Sequence, residues 1–428
     1  MANQSVTATA DTTFPRWIPL LGGVLGSSVC GLLLYAASIF NAPLMKEFGL
    51  TNREVSLFFA VCCLTFGLVT FPAGRFSDKV GPRKVVLVGG AILTVGYICC
   101  GFVTAFWQYV ILFGVVSGFG GGCIYLPPIA TAPKWWPDRR ALATGFTVVG
   151  LGLGSFTMGP LGNWIIKTMS TAGTTDGWRY VHFYVGILMG VMTLLCVLCL
   201  KVPPAGYKPA GWNPPAPKPG AVAAGRDFTH EESRSTSQFW MLYASYFCGS
   251  FAGLMVIGFL KPIGAEGLKS AFSDPKVVGD YATYAISMFA FANAAVRVLI
   301  GAIIEKIGTK KCFISVFALQ MLALVAMVPV SSNYILLYAV AIVLGWNYGS
   351  MFTLFPSSTL AYYGPAAQGS NYGLLFTAWG FAGFAGPFTG GWLRETSGGF
   401  SVPLIVAAVL VAVSLFVSIT IKPPMKKS

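Results

Sequence analysis

Charged side chains are scarce in this sequence. Of its 428 residues, 10% are Asp, Glu, Lys or Arg, whereas 55% are apolar. Soluble domains carry about 25% charged residues, so this chain has too little polar surface to face water over its whole exterior. The shortage excludes an ordinary soluble protein and predicts that lipid covers most of the surface.

Several sequence features that are typical of other classes of protein are also missing. The first sixteen residues are polar and include Asp11, so we expect no secretory signal and a first apolar segment that is retained as a membrane span. All fourteen acids lie in loops or at the ends of the apolar segments, while His182 stands at a helix entrance and His230 in a central loop. We therefore predict no membrane enzyme, no metal site and no cofactor, and the missing phosphate-binding loop argues against ATP-driven transport. The ten cysteines fall in apolar runs, which indicates packing residues and no disulfide framework.

Twelve apolar segments follow one another along the chain. Most reach the ~20 residues that a helix needs to cross a bilayer. They predict an all-α membrane protein with twelve transmembrane helices, at roughly 17–40, 54–73, 85–106, 108–130, 141–166, 181–200, 238–260, 281–303, 312–330, 334–356, 370–392 and 402–421.

Basic residues are distributed unevenly between the two sides of such a protein. Twelve crossings place 19 Lys and Arg on the side that holds both termini and 8 on the other. Because cytoplasmic loops are enriched in Lys and Arg, we predict a multi-pass protein of the cell membrane with both termini in the cytoplasm. Topology thus accounts for the net charge of +14, and no nucleic-acid partner is expected.

A polar stretch rich in Pro, Ala and Lys divides the chain into halves. It predicts a cytoplasmic central loop at 201–237, with its second part, RDFTHEESRSTSQ, as the start of the seventh helix. The remaining divisions are an N-terminal cytoplasmic tail at 1–16, six-helix halves at 17–200 and 238–421, and a cytoplasmic tail at 422–428.

The two halves repeat a loop motif. GRFSDKVGPRK follows the second segment and GAIIEKIGTKK follows the eighth, at a constant offset of 227 residues. Duplicated six-helix halves are typical of secondary transporters, which bind substrate between the halves. Glycine permits close helix packing, and an acid can meet a helix N-terminus or an arginine. The motif predicts two gating loops, containing Gly74, Asp78, Arg83, Gly301, Glu305 and Lys310.

Arg297 is the one basic residue that falls inside a predicted span. A guanidinium stays protonated at any working pH, and burying it without a partner is costly. One alternative is that the side chain extends along the helix towards Glu305 at the membrane surface. A second is that Arg297 faces a hydrated cavity, and the third is that it binds an anionic substrate there; the nearby Asn293 on the same helix face favours a cavity wall over a lipid face.

The motifs resemble those of the major facilitator superfamily. KWWPDRRALATGFTVVGLGLG (134–154), SQFWMLY (237–243) and NYG (371–373) are similar to its oxalate/formate antiporter branch, which adjoins the monocarboxylate transporters. The resemblance covers nearly the whole chain, is strongest to bacterial homologues of proton-coupled lactate and pyruvate carriers, and implies the major facilitator fold. It also implies that Arg297 binds the substrate carboxylate. Oxalate carriers place a Lys where this chain has Trp379, so a monoanion is favoured over oxalate.

Aromatic side chains are predicted to build the rest of the pocket. Tyr125 falls at the repeat offset on Phe352, and Tyr348 lies one turn before Phe352 on the same helix face. Tyr35 is a further candidate, and Leu151 would give an apolar wall suited to a methyl group. For Tyr125 and Tyr348 the alternative is packing between helices, with the hydroxyl bonded nearby.

These features predict a monomeric secondary transporter of small monocarboxylates such as lactate or pyruvate, working by alternating access. Proton symport is the first hypothesis and anion exchange the alternative. Eukaryotic relatives carry an Asp one turn before the arginine, but Asn293 does not titrate. Asp274 and Asp280 are therefore the candidates for proton coupling, with N-capping of the eighth span as the alternative role of Asp280.

A channel or a sensor on the same scaffold is a different class, and no loop is long enough to hold a sensor's soluble domain.

Overall fold

The structure, a computed structural model, describes residues 14–171, 176–204, 206–213 and 227–424, and these contain helices and no strand. A 3₁₀ turn (Cys100–Phe102) and a π-helix (Val110–Ser117) interrupt the third and fourth crossings. The α-helices are α1 (Ile18–Tyr35), α2 (Ala37–Phe48), α3 (Asn52–Val55), α4 (Leu57–Val80), α5 (Pro82–Cys99), α6 (Phe106–Tyr109), α7 (Gly118–Trp135), α8 (Arg140–Met169), α9 (Gly177–Cys199), α10 (His230–Arg234), α11 (Ser237–Leu268), α12 (Pro275–Ile307), α13 (Thr309–Val330), α14 (Tyr334–Tyr363), α15 (Gln368–Ser397) and α16 (Ser401–Thr420).

The helices form twelve crossings that alternate in direction. Near the chain ends, Arg16 pairs with Asp138 at 2.9 Å, before α8, and Lys310 donates to the carbonyl of Ile421 at 3.3 Å, after α16. We call this side the terminal face. On the opposite face, Glu47 at the end of α2 bonds with Arg179 at the start of α9.

Eleven of the crossings are long and apolar enough to span a membrane by length and composition, within the part of the chain that the structure describes. The remaining one, α15, is 30 residues long but carries seven glycines and several polar residues. It packs against α4 and α11, so protein covers much of its surface. The predicted fold class is confirmed: an all-α membrane protein of two six-helix halves.

The repeated loop motif has the same backbone conformation in both halves. Gly81 and Gly308, which are 227 residues apart, have φ of 91° and 83°, a region that side chains with a Cβ rarely adopt. Arg83 donates to the carbonyl of Leu200 beyond α9, just as Lys310 donates to that of Ile421 beyond α16. Each motif thus ties the start of its half's third crossing to the end of its sixth.

The first crossing is broken at Ala36, between α1 and α2. Its outer part, α2, is held against α9, because Phe40 stacks on His182 with ring centroids 4.2 Å apart and Glu47 accepts a hydrogen bond from Trp178. His182 lies in the second turn of α9, near the helix entrance where we expected it, and its ring is fully buried and bonds to the Tyr109 hydroxyl at 3.1 Å.

The central loop is described at 201–204, 206–213 and 227–236. The expected helix start for the seventh crossing is in fact a separate short helix, α10, because Thr229 and Glu232 form a capping box that begins it. The α11 helix then begins anew, with Thr236 as its N-cap. Through the hydrogen bond of Ser233 to Asn371 at 2.7 Å, α10 is fixed to α15.

Candidate functional site

A cavity of about 300 Å³ lies between the two halves. Helices α1, α2, α4 and α8 line it from the N-terminal half, and α11, α12, α14 and α15 from the C-terminal half. Five of the predicted substrate-binding residues contribute to its wall: Tyr35, Leu151, Arg297, Tyr348 and Phe352. Residues from opposite ends of the sequence therefore meet in one chamber, as a site between two halves requires.

Arg297 borders this cavity and is fully buried, with an exposed fraction of 0%. Its Nε donates to the Asn293 carbonyl at 3.1 Å and one Nη to the Asn293 side-chain oxygen at 2.9 Å, while the other Nη reaches the Val148 carbonyl of α8 at 3.1 Å. The Phe352 ring lies 4.5 Å from the guanidinium carbon. The alternative in which Arg297 extends to Glu305 is wrong, because Glu305 bonds instead to the Ala141 amide.

The guanidinium keeps unused donors. It carries five N–H groups, of which the described residues accept three, so one N–H on each terminal nitrogen has no protein acceptor there. No acid forms an ion pair with Arg297 in the described part of the chain. Two parallel N–H groups match the two oxygens of a carboxylate, which is the strongest geometry available to an arginine.

Asn293 does not line the cavity but positions the residues that do. Its side-chain oxygen holds Arg297, and its Nδ2 donates to the Tyr35 hydroxyl at 3.1 Å. The Asn293 side chain therefore holds both Arg297 of the C-terminal half and Tyr35 of the N-terminal half. Its place is beside the cavity rather than in its wall.

Trp379 forms the terminal-face end of the cavity together with Phe352. Its indole stacks on Phe376 at 5.1 Å between ring centroids, and its Nε1 donates to the Tyr348 hydroxyl at 3.1 Å. The hydroxyl hydrogen of Tyr348 has no acceptor among the described residues and so remains able to bind a ligand in the cavity.

Tyr125 lies one layer deeper, outside the cavity wall. Its ring packs against Phe376 at 4.8 Å and Phe66 at 5.5 Å, so the expected direct place in the pocket is not what the structure shows. Tyr125 and Phe352 occupy equivalent positions of the 227-residue repeat. The two halves are not identical, however, because Phe376 and Trp379 of α15 stand between Tyr125 and the chamber.

The cavity opens towards the opposite face. It shares Ser56, Gly258 and Pro387 with a second cavity of about 510 Å³, which we call the vestibule and whose charged lining residues are Arg53, Glu266, Arg394 and Glu395. These charges stand at helix ends on the opposite face, so the vestibule adjoins the cavity on that side.

The halves are closed against each other on the terminal face. The Asp78 carboxylate accepts hydrogen bonds from the Ser370 amide and hydroxyl, both at 2.8 Å, at the start of α15. The Glu305 carboxylate accepts from the Ala141 amide at 2.8 Å, at the start of α8. Each motif acid thus meets a helix N-terminus of the other half, where the helix dipole favours negative charge.

Close packing of glycines accompanies these bonds. Gly74 of α4 touches Gly369 of α15, and a Cβ at Gly301 of α12 would lie 2.7 Å from the Ala141 carbonyl oxygen of α8. The predicted motif glycines and acids therefore lie at the two helix pairs where the halves meet, whereas Arg83 and Lys310 bond within their own halves.

The predicted proton-coupling acids lie away from the site. Asp274 and Asp280 are exposed and line neither the cavity nor the vestibule. The suggested N-cap role of Asp280 is wrong, because α12 begins earlier and Asp274 accepts from the Lys276 amide at its start. Neither acid is near enough to exchange a proton directly with a carboxylate on Arg297.

Several lining residues were not predicted. Asn41 and Ser56 are polar residues near the outer ends of apolar segments, a signal that pattern reasoning can detect, and the Asn41 side-chain oxygen is buried without a described partner. Phe59, Leu254 and Ile257 resemble lipid-facing residues in sequence, so no local signal marks them.

The fold and the cavity define a multi-pass membrane carrier, with a site enclosed by two related halves. The Major Facilitator Superfamily model matches residues 23–274 and 247–428, and the chain belongs to this superfamily. It is a transporter and not an enzyme. FucP, a transporter of this superfamily solved in the outward conformation, has the same fold, with a TM-score of 0.64 at 14% identity over 92% of this chain and 97% of that one.

Similar proteins indicate which branch of the superfamily the chain resembles. The oxalate:formate antiporter of Oxalobacter formigenes is 26% identical over 96% of this chain and 94% of its own length. Monocarboxylate transporter 13 of Bos taurus is 21% identical over 95% and 89%. Apicoplast pyruvate carrier 1 of Toxoplasma gondii is 25% identical over 73% and 64%. The chain is thus similar to the oxalate/formate and monocarboxylate branch, as its motifs predicted.

Proposed function

We propose that this protein is a secondary transporter of monocarboxylates that works by alternating access. The observation that carries the proposal is Arg297, a buried cation with two unused N–H groups at a cavity between the halves. A buried charge is stable only with a partner, and a carboxylate arriving from solution supplies one. The names of the relatives, which include an oxalate:formate antiporter and a pyruvate carrier, support the same substrate class.

The binding step uses groups that are already in position. The substrate enters through the vestibule, and its carboxylate accepts two hydrogen bonds from Arg297 and a third from the Tyr348 hydroxyl. Rocking of the halves then closes this path, and the contacts of Asp78 and Glu305 on the terminal face break. All of the cavity lies within one chain, so a monomer suffices.

A single carboxylate is favoured over two. Arg297 is the one cation that lines the cavity in the described part of the chain, and the apolar face of Trp379 occupies the end beside it. A second carboxylate there would lose its hydration without gaining a cation. Monoanions therefore suit the site better than oxalate.

The orientation follows from the basic residues. Because the sequence assigns 19 Lys and Arg to the side of both termini and 8 to the other side, we place both termini in the cytoplasm and the vestibule outside the cell membrane. Proton symport remains the first mode. Since no acid lines the cavity among the described residues, the proton would travel on the substrate or on peripheral groups.

Uptake by reconstituted vesicles tests the proposal. We expect Arg297→Gln to lower the uptake of labelled pyruvate and lactate roughly a hundredfold or more, because two charge-assisted hydrogen bonds are lost. Lys269→Gln, which removes an exposed cation on the opposite face, should leave uptake unchanged. Saturable uptake at the wild-type rate by Arg297→Gln would show that the arginine does not bind substrate.

Anion exchange is the second candidate, supported by the similarity to the oxalate:formate antiporter. The two modes differ in what drives accumulation. In symport a pH gradient alone concentrates the substrate in empty vesicles, whereas in exchange uptake requires an anion preloaded inside.

A further inference from the structure

The cavity is larger than a two- or three-carbon acid needs. At ~30 Å³ for each water in the liquid, about ten waters fill its roughly 300 Å³. Pyruvate has six non-hydrogen atoms and would therefore occupy roughly half of the space or less. Chambers of this size are typical of sites that enclose larger organic ligands.

The lining is divided by polarity along the depth of the cavity. Arg297 and the Tyr348 hydroxyl stand at the terminal-face end, and the charges of the vestibule stand at the other end. The wall between them is mainly apolar and comes from both halves, with Asn41, Ser56 and the Tyr35 hydroxyl as its polar groups; its apolar residues are Leu34, Ala37, Phe59, Leu151, Leu254 and Ile257. A small, fully hydrated anion gains nothing from such a wall, whereas an apolar body does.

The length of the apolar section sets the size of that body. Along α15 the lining runs from Trp379 to Pro387, about 12 Å at 1.5 Å per residue. An extended chain advances ~1.2 Å per bond, so about ten bonds would span this section, and a body of about five to eight carbons fits within it once the carboxylate is on Arg297.

We infer that the preferred substrate is a monocarboxylate with an apolar body of about five to eight carbons. Its carboxylate binds Arg297, and its body lies along the wall formed by Leu151, Leu254 and Ile257. The inference rests on the proposed function, because it assigns the tail of a substrate whose head is bound by Arg297. It implies that the site binds such longer acids more tightly than lactate and pyruvate.

Binding of straight-chain acids from acetate to decanoate tests the inference. The full-length protein is placed in nanodiscs, and the signal of empty nanodiscs is subtracted to remove partition into lipid. We expect affinity to rise about fourfold for each methylene, equivalent to ~0.8 kcal/mol, up to hexanoate or octanoate. Tightest binding by acetate or propionate, with weaker binding of every longer acid, would overturn the inference.

Gly258 offers a variant that fills the cavity. It lines the chamber, and a Cβ built there meets nothing within 4 Å, so Gly258→Val places methyl groups in open space. We expect octanoate affinity to fall about tenfold or more while propionate affinity changes less than twofold. An equal loss for both acids would contradict a body lying on this wall.

Gly279→Val is the matched control. Gly279 lies within α12, lines neither cavity, and also has no atom within 4 Å of a built Cβ, so the same substitution adds the same atoms away from the chamber. The wild-type chain-length series remains decisive if either variant fails to fold. Wild-type protein that binds no carboxylate at all refutes the proposed function, whereas binding of short acids alone refutes this inference.

Discussion

At the scale of single residues, the geometry of the site depends on an amide. Asn293 holds Arg297 through its side-chain oxygen at 2.9 Å and orients the Tyr35 hydroxyl through its nitrogen. Because an amide carries no charge, it aligns the guanidinium without neutralising it. The cation therefore stays available to a substrate.

Asn293→Asp should convert the site into a pH-dependent one. The new carboxylate would pair with Arg297 and compete with the substrate, so we expect affinity at pH 7.5 to fall roughly ten- to hundredfold, as for one charge-assisted hydrogen bond. Protonation of the aspartate at lower pH removes the competitor and restores binding. The measurement is the affinity for a saturated carboxylate between pH 5 and 8.

The matched variant is Asn293→Leu, which cannot hold or neutralise the arginine. It should weaken binding equally at every pH. If the Asn293→Asp protein showed no recovery on acidification, the guanidinium would not be the group for which substrate and aspartate compete.

The sequence predicted the central charge but not the whole wall. Arg297 could be found because an unpaired cation in an apolar segment needs an explanation. Tyr125 was expected in the cavity from its repeat partner, but the rings of Phe376 and Trp379 lie in between. Leu254 carries no local signal, because lipid and an apolar cavity select the same side chains.

At the scale of elements, α10 is a short helix clamped between the halves. His230 is 9% exposed and packs against the Phe71 ring of α4 at 4.9 Å, while Ser233 bonds to Asn371 of α15. Burial lowers the pKa of His230, with nearby Glu231 acting in the opposite direction and Arg234 and Arg75 in the same one. The docked helix therefore favours the neutral ring.

Docking of α10 should weaken in acid. The pKa of His230 is lowered when α10 is docked. The contribution of His230 to the stability of the docked helix is therefore complete above the undocked pKa of about 6.5 and is lost as the pH falls below that value. We expect amide hydrogen exchange in residues 227–236 to accelerate between pH 7 and 5.5, by at most about tenfold per pH unit after correction for intrinsic rates. His230→Phe keeps an aromatic ring and should remove this extra dependence, whereas an unchanged slope in that variant would assign it to another group.

The break in the first crossing had no counterpart in the sequence pattern. Around Ala36 there is neither Gly nor Pro, and the apolar run continues smoothly. The backbone of Ala36 itself stays helical, with φ −62° and ψ −30°, and α2 contacts α9 through the stacking of Phe40 on His182 and the bonds of Glu47. Such contacts between distant segments cannot be obtained from periodicity, whereas α10 could be located from its capping residues.

At the scale of the whole molecule, the halves are joined on the terminal face by two equivalent bonds. Asp78 reaches the start of α15, and Glu305, at the offset of 227 residues, reaches the start of α8. The sequence predicted this symmetry through its repeated motif. It could not show which helix ends the acids meet, because the partners lie 292 and 164 residues away in the chain.

Removal of these acids should favour opening of the terminal face. Exposed charges at helix N-termini contribute about 0.3–1 kcal/mol, so Asp78→Ala and Glu305→Ala should each shift the ratio of open to closed protein about two- to fivefold. The effects should multiply in the double variant, because the two bonds share no residue. Distances between spin labels at the terminal-face ends of α5 and α13, in a background without native cysteines, report the ratio.

Asp138→Ala is the control for this experiment. Asp138 pairs with Arg16 at 2.9 Å on the same face, but both belong to the N-terminal half. Its removal should leave the distances unchanged. A shift as large as that of Asp78→Ala would mean that loss of any acid from this face, rather than loss of a bond between halves, opens the protein.

Because of the hydrogen bond from Arg297 to the Val148 carbonyl, the empty protein and the substrate-bound protein would differ in how easily they change conformation. This bond joins α12 to α8 across the two halves, so an empty protein must break it without replacement when the halves separate there. A bound carboxylate offers the guanidinium substitute acceptors that travel with it. The return of the unloaded protein is then the slow stage of turnover, and substrate waiting on the far side shortens it. In symport as in exchange, Arg297 would thus make turnover faster when substrate is present on both sides of the membrane.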